Sequence, residues 1–528
     1  MPQRLGANGA PVAKDGRSIG TTDITIDEII DMPKRHFFLI ATVLLLSYMY
    51  VLPRWADWSQ NSRLDLVRAL SEQRSVIIDD YVANTGDYAE YQGHAYSDKA
   101  PGSAFLALPV ALALLPALDQ PLIRQPLEQL AAGGALGATL NPNGSGINAD
   151  KLRTFLLQVA LTAMTVALPT TLGALALYTL LQRSGTDERP AMVLTLAYGL
   201  GTMLAVYGGN FYSHALVASL LLGAWALAVR SFSPPRALAI GLLFGWAVIS
   251  EYPAALPALV IGLVAAWGWR KPSALLWMTL GGLAPLLLMG LYDLRAFGTP
   301  FPVGYEHSAL WQQQHQTGFL SITYPHVDAL WGLTFGLYRG LFVRAPWLLL
   351  ALPSYIIWWR GGQNRLVWWV ALLAPLGLLL FYGSSLMWPG GFAAGPRYLV
   401  LIIPFMALAS APAAVTLWRR PWPRAALLLL IAVSIVLTWS EAVARQGFPP
   451  DTIANPWIGY TLAAWREGDI ARNLGTALGL HGALSLLPLA MLIVGIFAYS
   501  LRHLDEQPAA TRSSARVVEG QTVAPIQH

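Results

Sequence analysis

Between Asp79 and Gly102 the chain reads DDYVANTGDYAEYQGHAYSDKAPG, gathering Asp79, Asp80, Asp87, Glu90, His94, Asp98 and Lys99 into one polar segment bordered by apolar sequence. Carboxylates beside an ammonium group form a pattern suited to taking a proton from a hydroxyl while a cation steadies a departing anion. Tyr81, Tyr88, Tyr91 and Tyr96 are interleaved with the acids, and the Lys-Ala-Pro-Gly step runs straight into apolar residues, which sets Lys99 at a membrane surface. Only 12% of all residues are charged, so an island of this density needs a reason. A solvated loop accounts for any one of these residues; an active-site loop accounts for them together. Asp79, Asp80 and Asp87 are its candidate bases, with His94 and Tyr96 as candidate substrate contacts.

Further ionisable residues stand at helix ends: His214 in YGGNFYSHA, Glu251 in SEYPAALP, Asp293 and Arg295 in YDLRAFGTPF, Arg339 in GLYRGLF and Arg397 in GGFAAGPRYL. A charge at the centre of a bilayer costs at least ~3 kcal/mol, so each must pair, snorkel or line a wet cavity, and His214 and Glu251 are taken as candidate substrate contacts. The segment WPGGFAAGPRY carries Gly390, Gly391 and Gly395, is broken at Pro389 and Pro396, and delivers Arg397 at the start of a helix. Read alone it is an ordinary turn. With Lys99 opposite, Arg397 would form a clamp for phosphate or pyrophosphate, and Arg339 is a third candidate ligand.

The elements that must position these groups are membrane helices. Hydrophobic residues make up 55% of the chain, mean hydropathy is +0.48, and there are 20 Trp. Apolar runs at 36–53, 103–118, 154–182, 190–207, 211–229, 236–250, 253–269, 273–292, 341–359, 366–383, 398–418, 424–440 and 482–501 lead us to expect an all-α polytopic bundle of about 12 to 14 spans at about 20 residues each. Arg183/Arg189, Arg230/Arg236, Arg270/Lys271, Arg360/Arg365, Arg419/Arg420/Arg424 and Arg502 assign the cytoplasmic side. That leaves 54–102, 208–213, 251–253, 293–340, 384–397 and 441–481 outside, on one face with the candidate site residues. The region 103–153 must then cross an even number of times. It shows one clear run and a weak one near 129–140, so either the weak run crosses, or 103–118 is re-entrant, or the side given to 183–189 is wrong. Residues 62–73 (SRLDLVRALSEQ) space Leu64, Val67 and Leu70 as a short amphipathic helix on the membrane surface. The polar stretches 1–35 and 502–528 read as cytoplasmic tails around a membrane domain at 36–501.

Cysteine is absent, which excludes disulfides, thiolate metal sites and a cysteine nucleophile. The net charge of +5 is explained by the basic helix ends without invoking nucleic acid. No Walker loop, GxGxxG, HExxH or GxSxG motif occurs, which argues against nucleotide-driven transport, dinucleotide chemistry, zinc proteolysis and serine hydrolysis.

The segments NSRLDLVRAL, NTGDYAEYQGHAYSDKAPG, FYSHA, EYPAALP, FGTPFPVGYEH, YRGLF and GGFAAGPRYL resemble the C-type superfamily of membrane glycosyltransferases. Among its members the chain is similar to bacterial relatives of the protein O-mannosyltransferases and aminoarabinose transferases of family 39. The likeness covers most of 36–420. It implies a bacterial inner-membrane enzyme that takes a sugar from a polyprenyl-phosphate donor and passes it, with inversion, to a lipid, glycan or protein acceptor. Lys99 in YSDKAPG matches the lysine that contacts the donor phosphate in these relatives. They place an Asp-Glu pair directly before the arginine of the surface helix, whereas this chain has Gln60, Asn61 and Ser62 before Arg63. The base is therefore sought at Asp79, Asp80 or Asp87. Some members use a divalent cation, which the acid-rich loop permits without requiring; no metal ligands are assigned.

Two other classes compete. A transporter or lipid flippase would also have many helices broken by Pro and Gly, but it predicts mid-membrane charges and a repeat relating two halves, and neither is visible. A non-catalytic scaffold is favoured by the missing Asp-Glu pair. The loop 293–340 adds Trp311, Phe319, Tyr324 and Trp331 to Glu306, His307, His315, His326 and Asp328. Interfacial anchoring would explain those aromatics; we expect instead a lid over the Asp79–Lys99 segment, with Tyr305, Glu306 and His307 nearest the substrate.

Overall fold

A computed structural model describes residues 34–54, 57–133, 149–300, 304–318, 321–361 and 365–504. Most of the expected tails, at 1–33 and 505–528, lies outside these residues, as do Phe319 and the side chain of His315. Among the described residues six helices are long and apolar enough to cross a membrane: Ala149–Arg183, Tyr252–Trp269, Ser273–Phe297, Arg365–Gly383, Arg397–Trp418 and Pro421–Val443. The protein is thus a multi-pass, all-α membrane bundle. A seventh crossing is reached if Gly102–Leu118 and Pro121–Ala132, bent by 79° at Asp119–Gln120, count as one span.

This is fewer than the 12 to 14 spans expected, because apolar composition does not guarantee an unbroken helix. The run at 341–359 is divided into Leu341–Arg344, Pro346–Leu350 and Ala351–Gly361, where Pro346 has no N–H to continue the ladder. Other runs form apolar helices at or just under the shortest usual span, such as Ser213–Ala228 of 16 residues and Pro234–Ser250 of 17. In the disputed 103–153 region the chain bends after Leu118, residues 134–148 lie outside the described set, and a single 35-residue helix begins at Ala149.

Arg397–Trp418 forms the centre of the bundle, 83% of its apolar window being buried, while Ser273–Phe297 lies at the edge with 28%. Pro234–Ser250 crosses Ser273–Phe297 through Gly241, Gly245, Gly281 and Gly282, where a Cβ at Gly241 would strike the Met278 carbonyl. Small residues are what allow membrane helices to approach this closely. The crossing fixes Glu251, at the end of one helix, relative to Asp293, near the end of the other.

The polar segment is ordered more than a loop. Strand β1 (Tyr88–Tyr91) pairs antiparallel with β2 (His94–Ser97), with Tyr88 opposite Ser97 and Tyr91 opposite His94. The turn residues Gln92 and Gly93 have φ of 51° and 79°, the two left-handed positions of a type I′ turn. Ala89 and Tyr96, opposite each other on one face, are buried, while Glu90 on the other face and His94 beside the turn are exposed.

The helix expected on the membrane surface is instead interior. It spans Trp58–Arg68, continues as a π-helix through Gln73, and buries every residue from Ser59 to Val67. The physical reason is that its polar side chains find protein partners. Gln60 Nε2 donates to the Arg54 carbonyl at 3.2 Å and Gln60 Oε1 accepts from Phe211 N at 2.8 Å, while Asn61 Nδ2 donates to the Asn84 carbonyl at 2.8 Å.

Asp65 on this helix accepts only from Asn84 Nδ2, at 3.0 Å, and its other oxygen has no partner. Burial pushes its carboxyl from 3.8 up to about 7, against the weaker pull of Asn84 and Arg68. A carboxyl whose pKa is raised by folding adds stability at pH below its unfolded value, and that contribution is lost as pH rises through the folded value. Stability should therefore fall between about pH 4 and pH 7. Asp65→Asn should stabilise the fold at pH 8 by on the order of 1–3 kcal/mol, seen as a higher melting temperature, and change little at pH 4. Thermal unfolding in detergent at both pH values checks this; an equal effect at the two would remove the carboxyl from the explanation.

Candidate active site at one end of the bundle

The site is built from three layers of polar contacts, all at the end of the bundle where the hairpin lies. The first is Arg63. Its Nη1 donates to Ser59 O at 2.7 Å and Ser59 Oγ at 2.8 Å, and its Nη2 to Ser213 Oγ at 2.8 Å and Glu251 Oε1 at 3.3 Å. Glu251 Oε1 also accepts from Ser213 Oγ and lies 3.1 Å from His214 Nδ1. Side-chain exposure is 4% for Arg63 and 7% for Glu251, so this pair is fully desolvated. Breaking such a pair from one side strands the other charge and costs about 3–5 kcal/mol. We therefore expect Glu251→Ala to lower the melting temperature sharply, with the double variant Arg63→Met/Glu251→Leu recovering most of the loss. A double variant no more stable than Glu251→Ala would show that shape, not charge, dominates here.

The second layer is the lysine. Lys99 Nζ lies 2.9 Å from Asp87 and 3.1 Å from Asp98, with 10% of its side chain exposed. Asp98 is nearly inaccessible and touches Ser62 Oγ at 3.5 Å, while Ser62 and Ser97 hydroxyls are 2.8 Å apart. Burial pulls the Lys99 ammonium down, but Asp87 and Asp98 outweigh it and hold it above its usual range. Burial and the neighbouring Asp87 push Asp98 up. Burial acts on Asp87 too, yet Lys99, Arg397 and Arg63 together hold it below the ordinary carboxylate value. Of the two carboxyls sharing one ammonium, Asp87 is thus the more readily ionised and the more accessible one.

The third layer is Arg397. Gly390, Gly391 and Gly395 all have positive φ, so the turn before it depends on glycine. Arg339, wholly buried, donates to the Gly391 carbonyl at 2.6 Å and to the Ala393 carbonyl, fixing that turn from behind. Arg339 is therefore a positioning residue, its guanidinium spent on backbone rather than offered to a phosphate. Arg397 sits 5.0 Å over the Tyr398 ring and 6.0 Å from that of Tyr212. Its Nη2 donates to Tyr398 OH at 3.4 Å, its Nε has no partner, and it forms no ion pair among the described residues.

Asp57 was not singled out by sequence. It caps the Trp58–Arg68 helix by accepting from Gln60 N at 3.2 Å, and both its oxygens accept from Tyr212 OH, at 2.9 and 2.8 Å. Burial pushes it up, with Tyr212, Gln60 and Arg397 opposing. Its capping position, an Asp just before an apolar-spaced helix, was the available signal.

Other expected residues are placed differently. Asp79 is exposed, pairs with His94 Nδ1 at 2.7 Å and accepts from Ala95 N at 2.7 Å, so these two brace the outside of the hairpin. Asp80 is exposed and accepts from Gln73 Nε2 at 2.7 Å. Neither Asp79 nor Asp80 joins the Lys99 cluster, because the chain turns outward before β1. Tyr96 packs against Phe297 with ring centres 5.3 Å apart, and His307 stacks on Phe297 at 5.2 Å. Both serve the packing of hairpin on helix end. Glu306 is exposed. Tyr305 stands 5.9 Å from the Tyr252 ring and within electrostatic reach of Lys99, Asp98 and Glu251. The 304–309 stretch lies along the hairpin, Ala309 N donating to the Tyr88 carbonyl at 2.9 Å.

The donor set suits an anion held by cations beside an ionised carboxylate. Among the described residues no three His or acidic side chains come together as metal ligands. Fold and site together define a multi-pass helical membrane protein with a buried charged cluster at one end. No protein-family model matches the chain, and no curated protein is recognisably similar to it.

Proposed function

We propose that the protein is a membrane glycosyltransferase that moves a sugar from a polyprenyl-phosphate donor to a hydroxyl of a lipid, glycan or protein acceptor, in a bacterial inner membrane. The observation that carries this reading is the Lys99–Asp87 pair, whose carboxylate is held low by Lys99 and by Arg397, with Arg397 making no salt bridge among the described residues. The Asp87 carboxylate takes the acceptor O–H proton as that oxygen attacks the anomeric carbon. The bond from the anomeric carbon to the phosphate oxygen breaks, and the phosphate leaves with its charge against Arg397 and Lys99. Attack opposite the leaving group inverts the anomeric centre. Purified protein incubated with a panel of polyprenyl-phosphate sugars, with donor consumption read by mass spectrometry, tests the reading. Consumption equal to that of an Asp87→Asn/Arg397→Ala control for every donor would overturn it.

A further inference from the structure

We propose that Trp58 and Phe392 form a stacking wall for the sugar ring of a glycan acceptor, set beside Asp87 and the turn that carries Arg397. The helix that buries every residue from Ser59 to Val67 leaves Trp58 45% exposed at its first position, and Phe392 is 50% exposed. Their ring centres are 6.0 Å apart with planes inclined at 46°, so the two rings make an angled wall, not a closed stack. Both are rooted in the site. A Cβ at Gly86, the residue before Asp87, would lie 2.9–3.1 Å from the six-membered half of the Trp58 indole, so this ring rests on the backbone there. Thr85 Oγ1 donates to the Trp58 carbonyl at 2.8 Å and accepts from Asp87 N at 3.1 Å, which ties ring and carboxylate to one hydroxyl. On the other side, the carbonyls of Gly391 and Ala393, flanking Phe392, both accept from the buried Arg339. A Cβ at Gly390 would lie 3.2 Å from Arg397 Nε, while one at Gly391 would meet nothing within 4 Å, so the turn touches Arg397 and leaves room beside Phe392. An aromatic that only anchors a protein at the membrane interface has no need of such bracing.

These features select the occupant. A molecule that offers a hydroxyl to Asp87 must carry, beside that hydroxyl, a face of C–H groups broad enough to cover two rings. A pyranose has this form, with hydroxyls around its rim and C–H bonds on its faces, which the electron-rich face of an aromatic ring attracts. A serine or threonine side chain is too short to cover either ring. The inference rests on the transferase reading for the role of Asp87, and chooses the glycan among the acceptor classes that reading allows.

Saturation-transfer NMR of the full chain in phosphatidylcholine nanodiscs, with a panel of methyl pyranosides and a capped serine-containing peptide as probes, provides the test. At least one pyranoside should receive magnetisation through the C–H protons of one face, and the peptide should receive none. Phe392→Ala and Trp58→Ala should each weaken that binding about three- to tenfold, a difference of ~0.6–1.4 kcal/mol, whereas Phe392→Tyr, which keeps the ring face, should stay within about twofold of the wild type. Trp58→Ala also removes a ring that packs on Gly86, so each variant is melted alongside, and Phe392→Ala, which deletes a half-exposed ring, carries the test if Trp58→Ala unfolds. Binding of no pyranoside, binding that Phe392→Ala leaves unchanged, or binding of the peptide instead would overturn the proposal. Since no donor is present, pyranoside binding that Phe392→Ala weakens, without turnover in the donor panel, would remove the transferase and keep the wall; turnover without such binding would do the reverse.

Discussion

Asp87→Asn should lower the rate of sugar transfer by about 10²–10⁴-fold, the range that a positioned general base supplies. The substitution keeps the side chain's size and one acceptor oxygen, so Lys99 retains Asp98 and the cluster keeps its shape. What is lost is the capacity to accept a proton. Asp79→Asn and Asp80→Asn should stay within about threefold of the wild type, because both carboxylates are exposed and turned away from Lys99. Since Lys99, Arg397 and Arg63 hold the Asp87 carboxyl below its ordinary value, it remains ionised at neutral pH, and its contribution to the rate falls only as pH drops through that depressed value. A rate that declines already between pH 7 and pH 6 would assign the base to a group with a raised pKa, of which Asp57 and Asp98 are the nearest.

Arg397→Ala should weaken binding of a polyprenyl phosphate about 10- to 100-fold, as expected for losing charge-assisted hydrogen bonds worth ~1.5–3 kcal/mol. Arg397→Lys should recover little of this. A guanidinium offers two parallel N–H groups to phosphate oxygens and here sits 5.0 Å from the Tyr398 ring centre, whereas an ammonium is a compact point donor. Arg397 makes no salt bridge among the described residues, and Asp87 keeps Lys99 when it is removed, so folding should be affected less than by breaking the Arg63–Glu251 pair. The measurement is lipid binding by native mass spectrometry beside a melting curve. A loss of binding accompanied by an equal loss of folded protein would mean that the arginine serves structure.

The sequence made the class plain because apolar run length and basic helix ends are local properties. It also brought Lys99 and Arg397 forward as partners for one anion. It could not choose among the acids: density along Asp79–Asp98 reports polarity, whereas the direction of each side chain depends on a hairpin whose Gln-Gly turn is a weak signal. It misread the Trp58–Arg68 helix for a related reason. Charged residues on a helix outside the membrane suggest a wet face, and only the tertiary partners Ser213 and Glu251, far along the chain, turn Arg63 inward. Asp57 escaped notice because a capping residue looks the same whether or not its carboxylate also meets a buried tyrosine.

Arg63 and Glu251 are 188 residues apart in sequence, Arg54 and Ala442 388, and Tyr50 and Ser485 435. Chains emerge from the ribosome N-terminus first, and loops closing over such distances form slowly. The first polar segment must therefore wait, with Arg63 and Asp57 still hydrated, until helices made much later arrive to desolvate them. During that interval the segment is a target for proteases and for holding factors on its side of the membrane. Truncating the chain before residue 212 should leave a protein that inserts but remains cleavable near residues 54–102.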